Sequence, residues 1–139
     1  GKPTLTHELS HMWSGSLTMP RILTIENNRL IQNPIDLSLH KKNKYSLNNI
    51  SKEAKLGCIS KQSQIMLKTN VTGHLTIRLE AFYDDYVDIH VKDGKIKFDT
   101  SHCKLYPLDE RMFNQTYSDT FQMNILIDTS SIEIFLENE

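Results

Sequence analysis

From Tyr86 to Asp99 the chain reads YVDIHVKDGKIKFD, and few folds accommodate such a stretch. Val87, Ile89 and Val91 fall on one side of an extended segment, with Asp88 and His90 on the other. After Asp93-Gly94 the apolar positions resume at Ile96 and Phe98. An Asp-Gly pair between two alternating runs marks a two-residue hairpin, because both turn positions need a backbone with positive φ. A hairpin with one apolar face has to bury that face against a further layer of structure.

The same period of two runs through much of the chain. In LTIRLEAF, Leu75, Ile77, Leu79 and Ala81 share one face, while Thr76, Arg78 and Glu80 share the other. In FQMNILID the alternating apolar set is Phe121, Met123, Ile125 and Ile127; in SIEIFLE it is Ile132, Ile134 and Leu136, with Glu133 outward. QIMLKT (residues 64–69) and LTMPRILTI (residues 17–25) are also strand-like. Pro20 places the latter at a sheet edge or a strand start, because proline has no N–H for a ladder. NNRLIQNPI, with Asn33-Pro34, reads as a connector. SLNNISKEAKLG (residues 46–57) predicts one or two helical turns closed by Gly57. Many short alternating strands separated by polar turns predict an all-β chain, an antiparallel β-sandwich of jelly-roll-like type.

Charge narrows the function classes. Over 139 residues, 16 basic and 17 acidic side chains are interspersed, for a net charge of −1. A nucleic-acid or anionic-membrane binder concentrates positive charge in a patch or stripe, so neither partner is expected. The apolar runs are too short for a membrane-spanning helix. GKPTLTHELSH, at the start, has no charged region followed by an apolar core, so no signal peptide and a cytoplasmic location are expected.

The chemistry-bearing residues form few recognisable patterns. Cys58 and Cys103 have no metal-ligand spacing and read as small buried or half-buried side chains. His7 to His11 spell HELSH, the letters of a zinc-protease motif, but Pro3 and the Ser/Thr-rich flanks predict no helix to align the two imidazoles. The acidic set Glu80, Asp84, Asp85 and Asp88 lacks the ligand spacing and central glycine of a calcium loop, and reads as a solvated connection between strands. Asn49, Asn70 and Asn114 head Asn-x-Ser/Thr triplets, of which one or two are expected by chance; with no signal peptide in view they do not point to secretion. No phosphate loop, nucleophile elbow or Cys-His arrangement is present. No catalytic residue, metal or cofactor is expected.

Three ordered stretches resemble one family. MWSGSLTMPRILTIENNRLIQNPI is similar, through Trp13, Gly15, Leu17, Thr18, Pro20, Arg21, Leu30, Gln32 and Pro34, to a segment of glycoside hydrolase family 32, the invertases, levanases and sucrose-6-phosphate hydrolases. ILIDTSSIEIFLENE resembles a motif near the end of that family's C-terminal sandwich, through Asp128, Ser130, Ser131, Glu133, Phe135 and Asn138. GKIKFDTS (residues 94–101) resembles a third. Thr100 and Thr129 stand where the family usually has Arg after Asp, a departure that touches local ion pairs.

The resemblance implies that residues 1–33 are the end of the last blade of a catalytic five-bladed β-propeller plus a connector. It implies that residues 34–139 are the C-terminal β-sandwich without its final strand. The family's retaining chemistry uses two carboxyl groups roughly 5 Å apart, carried by NDPNG, RDP and EC motifs that do not occur in this chain. The implied role is that of a structural module whose partner is the propeller of a β-fructofuranosidase. Trp13 and Arg21 are the candidate sugar-binding residues; packing of the blade against the sandwich is the reading favoured for them. A strand-end cap is expected of Asp128 and a cross-strand charge pair of Glu133. A second reading is a fructan-binding module, with Tyr83, Tyr86, Tyr106 and Tyr117 as the sugar platform. Residues 132–137 are expected at an open sheet edge, a surface that invites a second copy of the chain.

Overall fold

Asp93 and Gly94 adopt φ of 50° and 71°, and two strands leave them antiparallel, in register from Lys92 opposite Lys95 to Asp88 opposite Asp99. The structure is a computed structural model that describes residues 17–40, 43–47, 50, 52–57, 59–70, 73–81, 84–104, 110–113, 120–129 and 131–137. Its strands are β1 (Arg21–Glu26), β2 (Arg29–Pro34), β3 (Ser63–Asn70), β4 (Leu75–Glu80), β5 (Tyr86–Lys92), β6 (Lys95–Asp99), β7 (Glu110–Phe113), β8 (Thr120–Asp128) and β9 (Ser131–Glu137). They form sheets in the orders β1-β2, β3-β8-β9 and β4-β5-β6-β7. The chain is all-β. Among the described residues the only helical turn is a 3-10 turn at Ser38–His40, held at its start by Asp36, which accepts from the Ser38 N–H and hydroxyl. No helix of the described residues is long and apolar enough to cross a membrane.

Two compact units make up the described chain, one around Met66–Met123 and the other from Leu17–Ile65 with Asn124–Phe135. In the first, apolar residues line up across strands: Leu75 opposite Val91 and Ile77 opposite Ile89 between β4 and β5, then Val91 opposite Ile96 and Ile89 opposite Phe98 between β5 and β6. Ile89 and Val91 are fully buried and Ile96 nearly so. Each such aliphatic side chain contributes about 1.5–3 kcal/mol through removal from water. The expected face assignment of β4 holds, its residues alternating half-buried and exposed from Leu75 to Glu80.

The second unit contains the β1–β2 hairpin, in register from Arg21 opposite Pro34 to Glu26 opposite Arg29. Here the structure differs from the sequence reading, which takes NNRLIQNPI for a connector. Asn27 and Asn28 have φ of 48° and 60° and form a second two-residue turn, since asparagine tolerates the left-handed region. Pro20 immediately precedes β1, where its missing N–H costs no ladder bond, and its carbonyl accepts from the Ile35 N–H. The hairpin leaves Ile22, Leu23, Ile25 and Leu30 more than half exposed.

In the same unit, the side-chain pairs Gln62–Asp128 and Gln64–Asn124 pair rising with falling residue numbers, so β3 and β8 run antiparallel. A two-residue connection joins β8 to β9, which requires an antiparallel pair. β9 ends the strand order and is an edge among the described residues, as expected. Two face assignments change. Asn124 and Leu126 are buried along with Met123 and Ile125, so both faces of this stretch of β8 are covered, and Asn124 Oδ1 accepts from Gln64 Nε2. On β9 the buried residue is Phe135, on the face of Glu133 that the alternation directs outward. Helical turns are predicted at residues 46–57, and none of the residues described there (46, 47, 50 and 52–57) is helical; no apolar stripe of helical period gives them a face to bury.

Candidate functional site

Arg21 is the first residue of β1, and Gln32 sits opposite Leu23 in β2. Strand alternation therefore puts the Arg21 and Gln32 side chains on one face of the hairpin, as diagonal neighbours. The guanidinium donates from Nη1 to Gln32 Oε1 at 2.8 Å and from Nη2 to Glu133 Oε2 at 2.8 Å. Its Cζ lies 5.2 Å from the centroid of the Phe135 ring, within cation–π range. The second oxygen of Glu133 accepts the backbone N–H of Met19, so both oxygens of that carboxylate are engaged. The Glu133 side chain is only 11% exposed and that of Arg21 is 33% exposed. A guanidinium held this way by a carboxylate, an amide and a ring clamps one strand to a hairpin. Trp13, the other candidate binding residue, and the HELSH stretch lie outside the described residues.

Asp128 also has a local duty, accepting from its neighbour's Thr129 N–H at 2.8 Å and from Gln62 Nε2 at 3.0 Å. These two contacts, the Gln62 bond foremost, hold its carboxyl below the ordinary value. The expected strand-end cap is what forms. Glu133 finds its charge partner as expected, although on β1 rather than on a neighbouring strand of its own sheet.

The polar face of β4, β5 and β6 carries a second network. Asp88 lies opposite Arg78 on one side and opposite Asp99 on the other. Two carboxylates facing each other across a ladder repel, and each is compensated. Arg78 donates from Nε and Nη2 to the two oxygens of Asp88, both at 2.9 Å, and this bidentate bond is the main cause that raises the Arg78 pKa. Asp99 accepts from the Ser101 N–H at 2.9 Å and has Lys97 Nζ at 3.4 Å. Hydrogen bonds from Ser101, with a smaller contribution from Lys97, lower the Asp99 carboxyl from 3.8 to about 2.

A carboxyl whose value is lower in the folded chain stabilises the fold above its unfolded value and loses that contribution as pH falls through its folded value. For Asp99 the window runs from about 4 down to about 2, and Asp128 acts in the same sense. Thermal melts should show stability falling across that window, with Asp99→Asn flattening part of the acid limb. An unchanged acid limb in that variant would contradict the assignment.

Of the aromatic platform, only Tyr86 is among the described residues. Its ring lies 3.7 Å from the Arg78 Cζ and stacks on His102 with centroids 4.4 Å apart, so protein partners engage the ring. The acidic set is dispersed: Asp88 is bound to Arg78, Asp85 accepts from the Lys104 N–H, and Asp84 occupies a turn with φ of 58°. Cys103 carries no disulfide, and Cys58 lies outside the described residues. Among the described residues, no three His, Cys, Asp or Glu side chains gather as a metal site. The sequence reading missed the Arg78–Asp88–Asp99 row; the alternation directs all three polar side chains outward, but only register brings them together. In comparisons with known proteins, no family model matches the chain and no curated protein matches it.

Proposed function

We propose that this chain is the C-terminal β-sandwich module, with the end of the last propeller blade, of a β-fructofuranosidase-like retaining glycosidase, and that it serves there as a structural module. The observation that carries the reading is the convergence of Arg21, Gln32, Glu133 and Phe135 on one cluster. All four belong to the motifs on which the family resemblance rests, and they come from stretches 112 residues apart. Residues shared with a family for packing reasons should meet in space, and these do.

The β1–β2 hairpin suits the proposed partner. It presents Leu23, Ile25 and, opposite Ile25, Leu30 on one face to solvent, Ile25 at 77% exposure, and apolar groups gathered on a surface mark a contact site. The catalytic propeller is the partner proposed for this face. The open edge of β9 is a second contact, proposed for another copy of the chain.

The assay for the structural reading is fructose release from sucrose, sucrose 6-phosphate and inulin, together with calorimetric titration of fructo-oligosaccharides. No turnover and no saturable heat are expected. Turnover by the purified chain would overturn the reading, and saturable fructan binding would replace it with the binding-module reading. A positive test is association with a separately purified five-bladed β-fructofuranosidase propeller, lost in Leu23→Asp and Ile25→Asp; an unaltered complex in those variants would remove the hairpin from the contact.

A further inference from the structure

We propose that His74, Thr76 and His90 form a binding site for a zinc-class divalent cation on the polar face of β4 and β5. His90 lies directly opposite Thr76 in the register, and His74 precedes Thr76 by two residues, so alternation returns all three to the same face. Their donor atoms form a closed triangle. His74 Nε2 is 3.3 Å from His90 Nδ1, Thr76 Oγ1 is 3.2 Å from His74 Nε2, and Thr76 Oγ1 is 3.1 Å from His90 Nδ1.

These separations match one coordination geometry. Two nitrogens bound to zinc at ~2.0–2.1 Å in a tetrahedron stand about 3.3 Å apart, whereas adjacent ligands of a square-planar ion stand about 2.8 Å apart. A cation set just above the triangle therefore lies within coordination distance of all three donor atoms. The two imidazoles supply the affinity, the hydroxyl is a weak third donor, and water fills the fourth position. His74 and Thr76 are exposed and His90 is half-buried, so the open side of the triangle is accessible.

The surrounding charge permits a cation. Lys97, opposite His90 on β6, has its Nζ 3.4 Å from Asp99, and Lys92, two residues along from His90, has its Nζ 3.9 Å from Asp93. Arg78, two residues along from Thr76, is paired with Asp88. Lys97, Lys92 and Arg78 are thus each set against a carboxylate; Lys95, diagonal to His90 and opposite Lys92, is exposed to solvent, which screens its charge. Binding needs both facing nitrogens unprotonated, so zinc competes with protons.

The probe is Zn2+ alone, titrated into the full chain near neutral pH and again at about pH 5, well below the ordinary imidazole value of ~6.5. The expected result is one Zn2+ per chain near neutrality, with loss at the lower pH and loss in both His74→Ala and His90→Ala. Mg2+ should give no response, because imidazole is a poor ligand for it. A parallel NMR titration on the unmutated chain should move the ring signals of His74 and His90, which keeps the proposal testable if a variant fails to fold. Absence of saturable zinc binding, zinc binding retained in either His74→Ala or His90→Ala, or shifts confined to other histidines would each overturn it.

Discussion

Ile89→Ala lowers the unfolding free energy by about 2–5 kcal/mol, the range for truncating a fully buried isoleucine. Ile89 has no exposed surface and stands between Ile77 on β4 and Phe98 on β6. The smaller side chain loses its transfer energy and leaves a void that neighbours on two flanking strands cannot fill together. Lys92, on the same strand but exposed, provides the contrast: Lys92→Ala should stay within about 0.5 kcal/mol. Denaturant midpoints measured at unchanged slope would report both effects. Equal shifts for the two variants would show that β5 does not bury its Ile89 face.

That inward face is legible in the sequence alone, through signals that act only within a strand and its hairpin partner. Period-two alternation tells which residues of a strand share a side, and Asp93-Gly94 ties β5 to β6 at a defined register. Neither signal says which further strand lies alongside. Asn124 looks outward-facing by alternation, yet it is buried, and its side-chain oxygen accepts from Gln64 Nε2 on β3. Phe135 looks outward-facing by the same rule; Arg21 comes to lie over its ring, a contact that no local pattern on β9 announces. The β1–β2 turn escaped notice for a chemical reason: Asn-Asn is a weaker turn signal than Asp-Gly, because asparagine pays a steric cost at positive φ that glycine does not.

The candidate sites divide along the same line. Arg21 and Glu133 each stood out within a family-like motif, but their meeting depends on a long-range contact. The His74–Thr76–His90 triangle was hidden because its register crosses the loop between β4 and β5. That loop contains a left-handed Asp84 and a backbone bond from the Ala81 N–H to the Asp85 carbonyl, so counting residues from Asp93-Gly94 does not reach His74.

The Arg21–Glu133 pair gives the sharpest test of whether the recognised motifs hold the fold together. Arg21→Met keeps most of the stem but removes the charge, leaving a carboxylate that is 11% exposed with only the Met19 N–H and whatever water reaches it. Hydrogen bonds to charged groups contribute roughly 1.5–3 kcal/mol, and the one-third exposure of Arg21 moves the expected loss toward the lower end. Glu133→Gln keeps an acceptor for Met19 and should cost less. In Arg21→Met/Glu133→Leu both charges are gone, so part of the loss returns, since apolar groups of similar shape can replace such a pair at little cost. The cycle of Arg21→Met, Glu133→Leu and the double variant, with Glu133→Gln as a milder control outside it, should therefore give a coupling of about 1–2 kcal/mol between the two positions. Additive losses would mean that Arg21 acts through Phe135 and Gln32 alone. No loss in Arg21→Met would free the guanidinium from its structural duty and return it to the list of groups available for a sugar.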